Sequence, residues 1–236
     1  MRKPVSLICL GLLAIVSSVS YAGQERFEVS GIKAVRPTLV NTIAALKKGD
    51  VARARAAFED YDSAWNGIEV YINTRDKGMY DELEHHWQAK IADGLKAPQP
   101  DAASLLADAQ MMLTKYDEAI AMVEKAAPLN PLYDDVARLR MVRANLRGVG
   151  PALKAGEVAK ARKSFGAFGA KLPSVEGLIK MRSQQSYDDI EKGVAQIKTA
   201  LKPEKPDVDH TVGLVNAVMD KYNAVVTDIT KDARSH

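Results

Sequence analysis

The residues whose types and spacing suggest chemistry are glutamates and tyrosines that occur twice in the chain. Glu69, Tyr80 and Glu84 form the first set, and the same spacing returns in Glu176, Tyr187 and Glu191. Each tyrosine is followed by an aspartate, Asp81 in the first set and Asp188 in the second. Carboxylate and phenol oxygens suit hard cations, ferric iron among them by charge and hardness. We therefore treat all eight residues as candidate metal ligands.

These acids could bind a metal ion together only if the helices that carry them direct their side chains inward. On a helical wheel of the segment around residues 79–95, Glu84 falls between the apolar residues Ile91 and Leu95. Glu69 lies at the edge of the apolar stripe of the preceding helix. Carboxylates that face inward from adjacent helices are how four-helix bundles hold metal ions. The structural alternative is that each glutamate pairs with a recurring arginine, Arg75 or Arg182, and with a tyrosine hydroxyl.

An internal repeat accounts for the two sets. Leu46–Arg55 returns as Leu153–Arg162, and the register continues without a gap to Glu84 and Glu191. One residue is lost near Trp87, and the next helix then matches at a shift smaller by one. Such self-similarity is best identified before any fold is assigned. It predicts a first copy at residues 23–127 and a second at 128–236, each of about 105 residues.

Each copy is predicted to contain four helices. In the first copy we place them at Pro37–Lys48, Asp50–Asn73, Tyr80–Leu95 and Asp101–Ala126, with Asp101 as an N-cap, as Asp207 is in the second copy. Apolar residues recur at alternating steps of three and four, the pattern of a helix in a bundle. In the second helix of each copy they are Val51, Ala54, Phe58, Tyr61, Trp65, Ile68 and Ile72, then Val158, Ala161, Phe165, Phe168, Leu172, Val175 and Ile179.

These patterns predict an all-α protein. The expected architecture is a tandem duplication of two antiparallel four-helix-bundle-like units. A single larger bundle that mixes helices from both copies is the alternative. The absence of sustained strand-like alternation with hairpin turns argues against a β-sheet.

The N-terminus reads as a secretory signal. Arg2 and Lys3 precede a short apolar run from Val5 to Val19, and Ser20-Tyr21-Ala22 fits a cleavage site. We expect residues 1–22 to be removed, which predicts a periplasmic protein without a membrane span after cleavage. The single cysteine, Cys9, would leave with the signal. Without it the mature chain has no thiolate metal ligand and no attachment point for haem c.

Charge and motifs exclude several function classes. Removing Arg2 and Lys3 leaves 31 basic against 30 acidic residues, a net charge of +1. No basic stripe interleaved with aromatic residues points to nucleic acid as a partner. The sequence also lacks nucleotide-binding and common catalytic motifs. We therefore expect a protein that is not a conventional enzyme and that binds no nucleotide.

Three short motifs carry a resemblance to a known family. Gly49-Asp50-x-x-x-Ala54, Trp65-x-x-Ile68-Glu69 and Tyr80-x-x-Leu83-Glu84 resemble the extracytoplasmic helical region of bacterial Ftr-type iron permeases. A more distant similarity is to imelysin-like EfeO iron-uptake proteins, although their Gly-x-His-x-x-Glu motif is not found. The permease membrane segments and their Arg-Glu-x-x-Glu motifs are also not found.

The resemblance implies a place in iron uptake. A chain without the permease segments would bind, buffer or deliver iron, and an inner-membrane iron permease is the implied partner. The alternative function is a helical adaptor that binds no metal and docks on a membrane partner. An adaptor would need an exposed apolar patch of several hundred Å², whereas a metal site would need converging carboxylates.

Overall fold

The structure is a computed structural model that describes residues 25–235, and within that range it contains helices and no strands. The predicted signal peptide lies outside the described residues. The α-helices are α1 Phe27–Leu46, α2 Val51–Arg75, α3 Lys77–Asp81, α4 Ala89–Lys96, α5 Ala102–Lys125, α6 Leu132–Arg147, α7 Val149–Lys154, α8 Val158–Lys171, α9 Glu176–Arg182, α10 Gln184–Ala200 and α11 Val208–Ser235. A π-helical segment, Glu82–Gln88, joins α3 to α4, and a 3₁₀ turn, Leu172–Ser174, joins α8 to α9.

The helices of the two halves pack in the same order. In the first half, α1 lies against α2 and α5, and the π segment and α4 lie against α5 and α2. In the second half, α6 and α7 lie against α8 and α11, and α10 lies against α11. The two halves also meet directly, because α2 packs along α6. Their buried side chains form one continuous hydrophobic cluster.

The apolar stripe predicted for the second helix of each copy is confirmed. All its members are buried except the first, Val51 in one half and Val158 in the other, which are half-buried. Trp65, Tyr61 and Phe168 are among the largest side chains that are fully buried. Side chains spaced by three and four residues lie on one face of a helix, so each stripe turns its apolar face into the core.

Several local contacts recur between the halves. The Tyr116 hydroxyl on α5 donates to the carbonyl of Ile32 at 2.7 Å, and the Tyr222 hydroxyl on α11 donates to the carbonyl of Leu139 at 2.9 Å. Both tyrosines also pack edge-on against an aromatic ring of the preceding stripe. Each bond ties the last helix of its half to the first. The predicted N-caps are confirmed as well, because the side chains of Asp101 and Asp207 accept hydrogen bonds from backbone amides.

The loops between the first two helices of each half also match. Gly49 and Gly156 adopt positive φ angles of 68° and 75°, a left-handed conformation that favours glycine. An arginine just beyond each turn donates to a carbonyl of the third helical segment, Arg55 to Leu95 at 2.5 Å and Arg162 to Leu201 at 3.0 Å. These links fix the second helix of each half against the third.

The predicted third helix of the first copy, Tyr80–Leu95, begins at Lys77 and is divided by the π segment. Two further departures from the predicted helices involve prolines. Helix α1 begins at Phe27, so Pro37 lies inside the helix rather than at its start. A proline there removes one hydrogen bond, but the fully buried Ile32 and Leu39 on either side pack the helix into the core and keep it continuous. In the second half, the predicted second helix is interrupted by the 3₁₀ turn that contains Pro173. Proline cannot donate the amide that an unbroken helix needs at that point.

The π segment contains the one residue near Trp87 that the first copy has and the second copy lacks. The buried residues Leu83 and Ile91 are eight positions apart, whereas their counterparts Ile190 and Ile197 are seven apart. In a regular α-helix, seven positions return a side chain to within about 20° of the same face, and eight miss it by about 80°. A wider π turn absorbs one extra residue. Both residues therefore remain in the core.

None of the helices within residues 25–235 has the length and apolar character needed to cross a bilayer.

Candidate functional site

Glu84 is held against α2 by a tryptophan. The indole Nε1 of Trp65, a fully buried residue of α2, donates a hydrogen bond to the Glu84 carboxylate in the π segment. The glutamate as a whole is only half-buried. Trp65 was expected only to be a core residue, and its role as a donor to Glu84 was not predicted.

Glu69 meets a partner from the other half of the chain. Its carboxylate accepts a hydrogen bond from Nη1 of Arg140 on α6 at 2.9 Å. Burial raises the pKa of Glu69 to about 7, with a further contribution from the charge of Glu84. The charges of Arg140, Arg143 and Arg147 act in the opposite direction. The loss of hydration therefore outweighs the attraction of the arginines.

Tyr80 packs on Trp65, the residue that binds Glu84. Its ring stacks on Trp65 with centroids 6.4 Å apart and an angle of 8° between the planes. Partial burial raises the pKa of the Tyr80 hydroxyl to about 12, and the charges of Glu69 and Glu84 add to the shift. Both carboxylates therefore act on the same phenol.

The hydroxyl of Tyr61 is a polar group that the sequence analysis missed. It is buried and has no hydrogen-bond partner in the described part of the chain. Its pKa is raised well above the usual range by burial and by the charges of neighbouring residues, Glu84 and Glu69 among them. A buried hydroxyl without a partner is uncommon, because an unmet hydrogen bond costs free energy. A water or a ligand beside the glutamates would satisfy it.

Asp81 does not join this cluster. It forms an exposed ion pair with Lys77 at 2.6 Å, and His85 Nε2 lies 3.8 Å from its other oxygen. Lys77 and His85 are both exposed. The Asp81 carboxylate is therefore engaged by a surface lysine rather than by Glu69 or Glu84, although its charge contributes to the raised pKa of Tyr80.

The second set of candidates has a different environment. Glu176 forms an ion pair with Lys180 that lowers the pKa of its carboxyl, and the Lys180 ammonium lies 4.3 Å from the ring centre of Tyr187. The charge of the exposed Glu191 also reaches Tyr187, whose pKa is raised chiefly by desolvation. Asp188 is bound separately by the amide of Gln184 at 2.8 Å.

Packing explains why the two sets differ. In the first half, α6 covers the face of α2 that carries Glu69, whereas the matching face of α9 is left half-exposed. The buried Trp65 is also replaced by Leu172, and Glu191 opens onto a cavity of about 790 Å³ that Leu172 and two glycines line. The repeated residues therefore form a partly buried cluster in one copy, whereas in the other copy Glu191 is exposed and lines the cavity.

The proposed arginine partners are wrong. Arg75 pairs with the buried Glu28 at 2.6 Å, and Arg182 pairs with Asp232 and Asp228 of α11. The arginine that reaches Glu69 is Arg140, which the sequence analysis missed. The spacing of Arg140, Arg143 and Arg147, at steps of three and four, places three arginines on one face of α6. This row of arginines was the feature of the sequence from which a polar interface could have been predicted.

The cluster of Glu69, Glu84 and Tyr80 supplies two carboxylates and one phenol. Within residues 25–235, no three histidine, cysteine or acidic side chains converge in a way that would hold a metal ion. A cation at this cluster would therefore take two protein carboxylates and would need water or the tyrosine oxygen to complete its coordination. Comparison with known protein families, curated proteins and solved structures finds no match for this chain.

Proposed function

We propose that this chain is a periplasmic accessory protein of metal uptake, and that Glu69, Glu84 and Tyr80 bind a hard cation. The observation that supports it best is that Trp65 binds Glu84 and stacks on Tyr80, whose phenol is acted on by the charges of both Glu69 and Glu84. The buried Tyr61 hydroxyl next to Trp65 has no hydrogen-bond partner in the described residues. Iron is the favoured cation because of the resemblance to the extracytoplasmic region of iron permeases. That resemblance also makes an inner-membrane permease the proposed partner.

The electrostatics of Glu69 support a cation that competes with protons. Its carboxyl has a pKa of about 7, so it is largely neutral below that pH and charged above it. A cation binds the charged form, and binding therefore releases a proton. We expect affinity to rise as the pH increases through 7. The guanidinium of Arg140 opposes the cation, so one oxygen of Glu69 would bind Arg140 and the other would face Glu84.

We also propose that the two halves arose by tandem duplication of a four-helix unit. The matching bonds of Tyr116 and Tyr222 and the matching turns at Gly49 and Gly156 support it. In this view the first copy retains the buried cluster because the second copy covers it. The outer copy has no such cover, and its glutamates are more accessible.

Metal titration tests the proposed function. Ferric ion, presented as a weak chelate, and a divalent cation such as Mn²⁺ are titrated calorimetrically into protein purified without chelators. Glu69→Gln and Glu84→Gln should each weaken binding at least tenfold, because glutamine keeps the shape of glutamate but removes its charge. Glu176→Gln is the matched control, since Glu176 occupies the equivalent position and is already paired with Lys180. If the wild type binds no metal, or all three variants bind equally, the proposal is wrong.

The adaptor alternative has less support. The large apolar side chains exposed in the described chain are Val40, Met111 and Met181. They belong to three separate helices, α1, α5 and α9. Single apolar residues on a surface are normal and need no partner to explain them. We therefore place the metal proposal first.

A further inference from the structure

A small polar cavity lies where α2, α6 and α11 meet. Its volume is about 270 Å³. Its polar lining residues come from all three helices, two from each: Asn73 and Thr74, Tyr133 and Arg140, and Thr230 and Arg234. The cavity is therefore formed only when the two halves of the chain are assembled.

The lining of this cavity is rich in hydrogen-bond donors, although the Thr230 hydroxyl already donates to the carbonyl of Val226 at 2.7 Å. It contains two guanidinium groups, three hydroxyl groups and one amide, and no carboxylate is among its lining residues. Arginine can only donate hydrogen bonds, and it matches the oxygens of planar or tetrahedral anions. A cation would find no carboxylate in the lining, whereas an anion would find the guanidinium of Arg234 and that of Arg140, which also binds Glu69.

Both arginines have hydrogen-bonding groups that remain free to bind an anion. Arg140 gives Nη1 to Glu69, but its buried Nε has no hydrogen-bond partner in the described chain. Arg234 makes no ion pair with any carboxylate of residues 25–235. An unsatisfied buried donor is costly, and an acceptor in the cavity would remove that cost.

We propose that this cavity binds a small oxyanion of the phosphate or sulfate class. Arg140 and Arg234 would supply the charge, and the hydroxyls of Thr74 and Tyr133 would bind further oxygens. The cavity is smaller than the 300–1,000 Å³ typical of organic ligands, so it suits an inorganic ion with water. This site is distinct from the proposed cation site, although Arg140 borders both.

The test uses the full mature chain and two variants that leave Glu69 and Glu84 unchanged. Inorganic phosphate and sulfate are titrated at constant ionic strength, with chloride as the balancing ion, and binding is followed by calorimetry. Arg234→Gln and Thr74→Val should each weaken binding at least fivefold. The control is Arg53→Gln, because the exposed guanidinium of Arg53 on α2 makes no hydrogen bond or ion pair within the described residues. Circular dichroism verifies that all variants keep their helical content.

The outcomes separate the alternatives. Binding of phosphate and sulfate that is lost in both cavity variants and kept in Arg53→Gln supports the site. Equal weakening in all three variants indicates general attraction to positive charge and overturns it. No binding at millimolar anion also overturns it. Because neither variant touches the glutamate cluster, a failure here leaves the metal titration to be judged separately.

Discussion

Glu69 and Arg140 form an ion pair, 2.9 Å from oxygen to nitrogen, between residues that belong to different halves of the chain. Both side chains are largely buried, and burial of a charged pair is offset only by good geometry and further hydrogen bonds. The pair therefore links α2 to α6, and its removal should change the stability of the protein.

Replacing Arg140 with glutamine should destabilise the protein at alkaline pH. A hydrogen bond to a charged group contributes about 1.5–3 kcal/mol, and we expect a loss of that size in the free energy of unfolding at pH 8. Urea denaturation provides the measurement. Lys160→Gln is the control, because it removes an exposed ion pair with Glu59 between the same two halves, and exposed pairs contribute about 0–1 kcal/mol. Equal effects of the two changes would contradict the buried pair.

The protonation of Glu69 should make stability fall as the pH rises. Its pKa is about 7 in the folded protein against 4.5 for an ordinary glutamate, so the folded state binds more protons than the unfolded state between those values. The penalty is absent below pH 4.5 and complete above pH 7, and it approaches about 3 kcal/mol. Glu69→Gln should remove this dependence. A carboxyl titration by ¹³C NMR that places Glu69 near 4.5 would refute the expected shift.

Two glycines inside helices should respond in opposite ways to alanine. At Gly67 on α2, a Cβ atom would overlap the side chain of Met141 and approach the carbonyl of Ala137 to 3.0 Å. Gly67→Ala should therefore cost about 1–3 kcal/mol. At Gly166 on α8, nothing lies within 4 Å of the added atom, and Gly166→Ala should stabilise by about 0.5–1 kcal/mol. Chemical denaturation of both variants is the measurement, and a gain at Gly67 would contradict the close approach of α2 and α6.

Deleting one residue from the π segment should be tolerated. Removal of the exposed His86 would leave seven positions between Leu83 and Ile91, the spacing found in the second half, and a regular helix could form. We expect the melting temperature to change by less than about 8 °C, which corresponds to about 2 kcal/mol or more in a protein of this size. Complete unfolding of the deletion variant would show that packing, rather than the extra residue, imposes the π turn.

Much of the fold could be predicted from the sequence because it depends on local patterns. Steps of three and four residues identified the core stripe of each second helix, and aspartates before apolar runs identified the caps of α5 and α11. The break at Pro173 and the length of α1 were missed, because both depend on whether core packing outweighs the cost of a proline. Pro37 and Pro173 are both exposed and both have buried neighbours in the sequence, so the local pattern does not distinguish them.

The candidate site was harder to predict because its partners are distant in the sequence. The spacing of Glu69, Tyr80 and Glu84 indicated that they would meet, and the structure brings these three together. Their surroundings, which include Trp65, Tyr61 and Arg140, depend on how the helices pack. The spacing of residues along the sequence does not determine that packing. The second set could not be distinguished from the first, because the difference arises from packing: α6 packs along α2, whereas the face of α9 that carries Glu176 is left half-exposed.

The packing of α2 against α6 also determines when the first half of the chain can finish folding. The buried Val70 and Tyr71 of α2, together with Gly67, need surfaces that appear only after Leu132 in the chain. A growing or translocating chain presents its first half earlier, and that half would carry an uncovered apolar flank until α6 follows. We expect the first half to be incompletely packed at first, and its packing to be completed only when the second half becomes available.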